Sequence, residues 1–446
     1  MRRVAILLIG ALALGGADEK KPKPELPPAV RQMVELARGT APEFFAQTIV
    51  ELVSTGKIPD REARIDLLEE AFSDAQSAKE PYRLIAIPAT PQDTRALHRS
   101  KAGELKLDAL SLESRISREM LRIDHAKARE MFDEIARPEL DPRPCEDPLV
   151  ADDSAYYEMA AAIAQSTFTD AQKEKNAHVQ FLEAVLDGAK SPGELLPFLE
   201  TSRAVRMTPQ QHELLTGAVA AKLESIGADY RAFAMTYDAL KSAIDGMSAA
   251  DQEALGPAFQ DYAIAQASAA RCEPDFGPKI YAGEDEVRPA KMLGEMKVNV
   301  YFQSGNSKQI GEELQQLRAA AGKLSWLRES GRDGPEGEWS DSLADFLRDY
   351  AAWVPEGENI DAFHQRATVL RALLDLTRRG EDRDQVIQAS LDLLASAQAQ
   401  QEYPEEWLYE VGMLTGGPRS DSTKMLNLFR ASGDPALVLF ALFHPN

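Results

Sequence analysis

Apolar positions recur along this chain in steps of three and four. The clearest stretch begins at Leu105, where Leu105, Ala109, Leu112, Ile116, Met120 and Ile123 line one face of an α-helix. Asp124 breaks the stripe and is placed to cap a second helix, its carboxylate accepting the free N–H groups of the first turn. Ala128, Met131, Phe132 and Ile135 carry the period on as far as Arg137-Pro138, where the residue before proline is pushed out of the α region. Two amphipathic helices joined by almost no loop must run antiparallel, stripe against stripe.

Variations on this hairpin fill the chain. Helices are expected over 29–38, 41–54 and 61–78, the last with Asp60 in front of it. Between 152 and 271 the helix starts are explicit. Thr169, Ser191 and Thr208 are each followed three residues later by Gln172, Glu194 and Gln211, the spacing of a capping box, and Ser248 with Asp251 is a weaker version. Further helices are expected over 310–327, 343–353, 363–376, 386–399, 424–431 and 436–443, with a glycine-rich loop over 330–338. Val298 to Phe302 alternates weakly enough to suggest a short strand, and Tyr82 to Ile87 is too short to assign. The fold class that follows is all-α: stacked antiparallel helical hairpins in an α-solenoid or tetratricopeptide-like array. Ala128 and Phe132 are spaced as in the second helix of that repeat. Ile116 and Glu119 stand where its first helix needs glycine and tyrosine, so the family is not assigned.

Proline clusters divide the array. Pro138, Pro142, Pro144 and Pro148 mark one boundary, and residues 273–289 another, giving helical blocks 29–144, 145–272 and 273–446. Ahead of them lie a proline- and lysine-rich leader, 18–28, and residues 1–17, which read as a signal peptide. Arg2 and Arg3 precede an apolar run from Val4 to Leu14, too short to span a bilayer, and Ala17 ends a small-residue cleavage site. The expectation is an exported protein, periplasmic or extracellular, with no integral membrane segment once that peptide is removed.

The formal charge of −22 changes the choice of partner. So acidic a surface repels phosphate backbones, excluding nucleic acid, and suits a basic protein or peptide. In an exported chain the only two cysteines, Cys145 and Cys272, read as one disulfide, with free buried thiols as the alternative.

Catalytic patterns fail by a residue. His212-Glu213-Leu214-Leu215 begins like a zinc-protease helix but has Thr216 where the second histidine belongs, and Ser248 is better explained as a helix cap. The six histidines (His98, His125, His178, His212, His364 and His444) stand singly, and the acidic pairs Asp152-Asp153 and Glu405-Glu406 have side chains that diverge on a helix. No catalytic, metal or cofactor residues are assigned. The four tryptophans, however, all fall in the C-terminal third, and Trp339, Tyr403 and Trp407 are the candidate binding residues. The expected function is a non-catalytic scaffold that binds a protein or peptide. The rival is an all-α enzyme, for instance a carbohydrate-active one, with carboxylates facing a tryptophan-lined cleft.

Overall fold

The computed structural model describes residues 26–86, 94–137, 147–269, 278–282, 285–287, 300–330, 334, 336–377, 380–416 and 419–444. Among them the chain is all-α, with two small two-stranded sheets. Cys145, Cys272 and the expected signal peptide lie outside the described residues.

The leading hairpin forms from Ala109–Leu121 and His125–Glu134. Asp124 Oδ1 accepts from the N–H groups of Ala126 and Lys127 at 3.1 and 3.2 Å, as its position demands. The first helix starts four residues later than its stripe. Gly103–Leu105 is a 3-10 turn, Lys106 takes a left-handed φ of 57°, and Asp108 then caps the helix through Ser111. Leu105 is left on the surface. Leu112, Ile116 and Met120 are fully buried, each contributing roughly 1.5–3 kcal/mol.

Caps elsewhere act as the spacing requires. Thr169, Ser191 and Thr208 make complete capping boxes, although the Ser191 box opens a 3-10 turn, Pro192–Glu194, before the helix Leu195–Ser202. Ser248 Oγ accepts from Asp251 N at 3.2 Å. The unassigned stretch near Tyr82 becomes the strand Arg83–Ala86, antiparallel to Leu149–Asp152 with Arg83 opposite Asp152. An Arg83–Asp152 ion pair of 3.0 Å closes that register. No strand forms over the described residues 300–302, where Phe302 adopts a left-handed φ of 61°.

One apolar core extends from Val30 to Ala441. Its contacts do not follow a stack in which each hairpin touches only its neighbours, so the solenoid or tetratricopeptide-like arrangement is not confirmed. The helix Pro28–Arg38 packs against Pro435–Phe443, bringing the two ends of the described chain together. Both Thr94–Ala102 and Pro42–Ser54 pack against Pro404–Thr415. That last helix carries the candidate site.

Candidate functional site

Pro404 occupies the first turn of Pro404–Thr415, where its missing N–H costs nothing. The helix is buried on several sides, and each side presents different chemistry.

Glu405 and Glu406 follow the proline. Negative charge favours a helix start, but burial dominates here and raises both carboxyls. Glu405 reaches about 8 through burial and then the charge of Glu406; Glu406 is raised by burial and then by Glu80. Glu405 Oε1 accepts from Leu107 N at 3.2 Å, and Arg99 lies 3.9 Å from Glu406. The space beside the pair measures about 10 Å³, room for no more than a water. This pair therefore does not face a substrate cleft.

Trp407 has no exposed surface; its indole Nε1 donates to Leu394 O at 2.9 Å and its ring lies 5.4 Å from Phe44. It forms part of the wall of a cavity of about 880 Å³ enclosed by the helices Pro42–Ser54, Pro404–Thr415, Arg419–Ala431 and Pro435–Phe443. Phe44, Leu426, Leu439, Phe440 and Phe443 supply half of the remaining apolar lining residues. Two of its hydroxyls are already committed to backbone: Thr415 donates to Val411 O at 2.8 Å and Ser422 to Thr415 O at 2.6 Å. Glu51 is in the lining, and among the described residues no lysine or arginine is. Leu105 and Met413, 36% and 46% exposed, leave apolar surface beside the opening.

Glu410 lies one turn beyond Glu406 and is fully buried. Thr94–Ala102 brings His98 to it and Asn359–Leu376 brings His364 and Arg371. Each imidazole Nδ1 is 3.2 Å from Glu410 Oε1, and Arg371 Nε is 3.5 Å from Oε2. His364 makes a hydrogen bond, whereas His98 Nδ1 is out of line for one. The two rings sit 4.3 Å apart at 36°. Burial pushes Glu410 up, but the imidazoles and Arg371 outweigh it and hold the carboxyl at about 2. Burial lowers His364, favouring its neutral form.

Of the candidate binding residues, Trp339 and Trp407 are both buried in the core. Trp339 is not in a loop: the helix Glu336–Ala352 begins before it, and Trp339, Leu343, Phe346 and Tyr350 form its buried face. Tyr403 is half-buried at the start of the Trp407 helix. Trp353 is also buried and only Trp326, 57% exposed, faces solvent, so the four make no exposed platform.

The near-miss motifs prove structural. Asp251 sits between His212 Nε2, at 3.2 Å, and Ser248 Oγ, at 2.7 Å, so the serine and histidine are not paired as nucleophile and base. Asp153 is buried beside Glu194, whose Oε2 accepts from Tyr157 at 2.6 Å while Oε1 completes the Ser191 capping box. His98, His364 and Glu410 were the residues the one-dimensional pattern missed. Their positions in three distant helices left no spacing to read. No known protein family, curated protein or solved structure matches the chain significantly.

Proposed function

We propose that the protein is a non-catalytic binding protein that receives the apolar side chains of a basic, amphipathic peptide segment in the Trp407 cavity. The observation that carries this reading is the cavity itself. At about 880 Å³ it falls within the range of formed ligand sites, it is lined mainly by aromatic and aliphatic side chains, and apolar surface continues outward at Leu105 and Met413. Charge selects the kind of partner. Among the described residues the lining holds a carboxylate and no lysine or arginine, in a chain of net charge −22, which favours a positively charged segment and accelerates its approach. Export, inferred from residues 1–17, belongs to the same proposal and places the partner outside the cytoplasm.

Gly412 provides the test. It lines the cavity, and a Cβ built on it meets nothing within 4 Å. Gly412→Leu should project an isobutyl side chain into the cavity without disturbing the helix. A cationic amphipathic helical peptide titrated into the full chain should bind more weakly as salt rises, and Gly412→Leu should abolish that binding. Equal affinity for an anionic peptide of the same apolar face, or unchanged binding by Gly412→Leu, would overturn the proposal.

A further inference from the structure

We propose that His98, His364 and Glu410 form a binding site for one divalent transition-metal ion of the zinc class. This site is independent of the cavity reading. Two imidazoles and a carboxylate are the nitrogen and oxygen donors that zinc, cobalt(II) and nickel(II) accept, whereas calcium and magnesium require oxygen.

The geometry is that of a coordination shell. One donor atom from each residue lies within 4.8 Å of the other two. Both Nδ1 atoms stand 3.2 Å from Glu410 Oε1. Ligands held tetrahedrally at about 2.0–2.1 Å from zinc are themselves separated by about 3.3–3.4 Å. Both nitrogen–oxygen separations are therefore within a few tenths of an ångström of those in a zinc shell. Three protein donors leave a fourth position for water.

A hydrogen-bonded lock joining three helices is the competing account, and the hydrogen bonds argue against it. His98 is 8% exposed, yet its Nδ1 has no hydrogen-bond partner among the described residues, although a carboxylate oxygen lies 3.2 Å away. Glu410 Oε2 is met by Arg371, whose Nε lies 3.5 Å away in an ion pair. A lock would satisfy His98 Nδ1 as well, because an orphaned buried polar group costs about 1–3 kcal/mol. A cation bound to His98 Nδ1 and Glu410 Oε1 needs no alignment of an N–H with that oxygen. Arg371, 3.5 Å from the other oxygen, would orient the carboxylate from outside the shell. The donors also sit on three helices, Thr94–Ala102 and Asn359–Leu376 each packing on Pro404–Thr415, so the site is held by the fold and not by a loop.

The test uses the full-length protein, stripped with chelator and titrated with cobalt(II). One equivalent should bind, with the visible absorption of tetrahedral cobalt, and His98→Ala and His364→Ala should each weaken binding by more than about 100-fold, since loss of outer-shell partners alone costs 10–100-fold. X-ray absorption of the zinc-loaded wild type keeps the test decisive should either variant fail to fold. Scattering from two imidazoles supports the site. An all-oxygen shell, no retained ion, or affinity unchanged in both histidine variants overturns it.

Discussion

Trp407 joins packing to a place beside a cavity. An indole buried completely, with its N–H on Leu394 O, is a packing residue that happens to wall a cavity. Trp407→Ala should therefore destabilise the fold by about 3–5 kcal/mol, measured by urea unfolding, through lost packing. A change within 1 kcal/mol would return Trp407 to the surface. Glu405 makes a second prediction at this scale. Its folded pKa of about 8 lies above the usual carboxylate value of 4.5. Between those values the unfolded chain gives up its proton while the folded chain keeps it, so this group's contribution falls as pH rises and is unperturbed below 4.5. Glu405→Gln preserves the acceptor for Leu107 N and removes that titration. Its stability curve should be shallower than the wild type's by about 1.4 kcal/mol per pH unit in that interval. Parallel curves would show that Glu405 ionises normally.

Helices in this protein are set by their ends as much as by their stripes. Asp60, Asp108, Asp124 and Thr208 each cap a helix start through a backbone N–H, satisfying donors that the helix leaves open. The Pro404–Thr415 helix has no such side-chain cap; it relies on Pro404 and on burial by its neighbours. Gly412 is a weak point inside it, placed against the cavity. Because leucine has the higher helix propensity and the space to enter, Gly412→Leu should raise stability by about 0.5–1 kcal/mol while it blocks the peptide. A melting temperature several degrees lower would mean the cavity wall has no such room.

Contact between the two ends distinguishes this molecule from a linear stack. In a one-dimensional array, removing the last helix removes little beyond its own interface. Here Pro435–Phe443 closes the cavity and packs on the first described helix, Pro28–Arg38. A chain ending at Asp434 should lose cooperative thermal unfolding in the N-terminal helices as well, seen as hydrogen exchange at Val34 and Ala37. Protection retained at those two amides would restore the picture of an open stack.

The sequence by itself determined the helices, most of their caps and the all-α class, because these depend on periodicity and on side chains within four residues of one another. It also carried the net charge of −22. The stripe near Leu105 was legible, but its start was not, since Lys106 and Asp108 override the apolar period locally. Trp339 looked exposed because its neighbours are polar and glycine-rich, and only the buried face shared with Leu343 and Phe346 reversed that. Tertiary structure alone decided the cavity and the His98–His364–Glu410 cluster. Each arises where helices far apart in the chain meet, and the closure of such long loops leaves no mark on local spacing. A solitary histidine and a paired one have the same sequence signature until the core brings them within 4.3 Å.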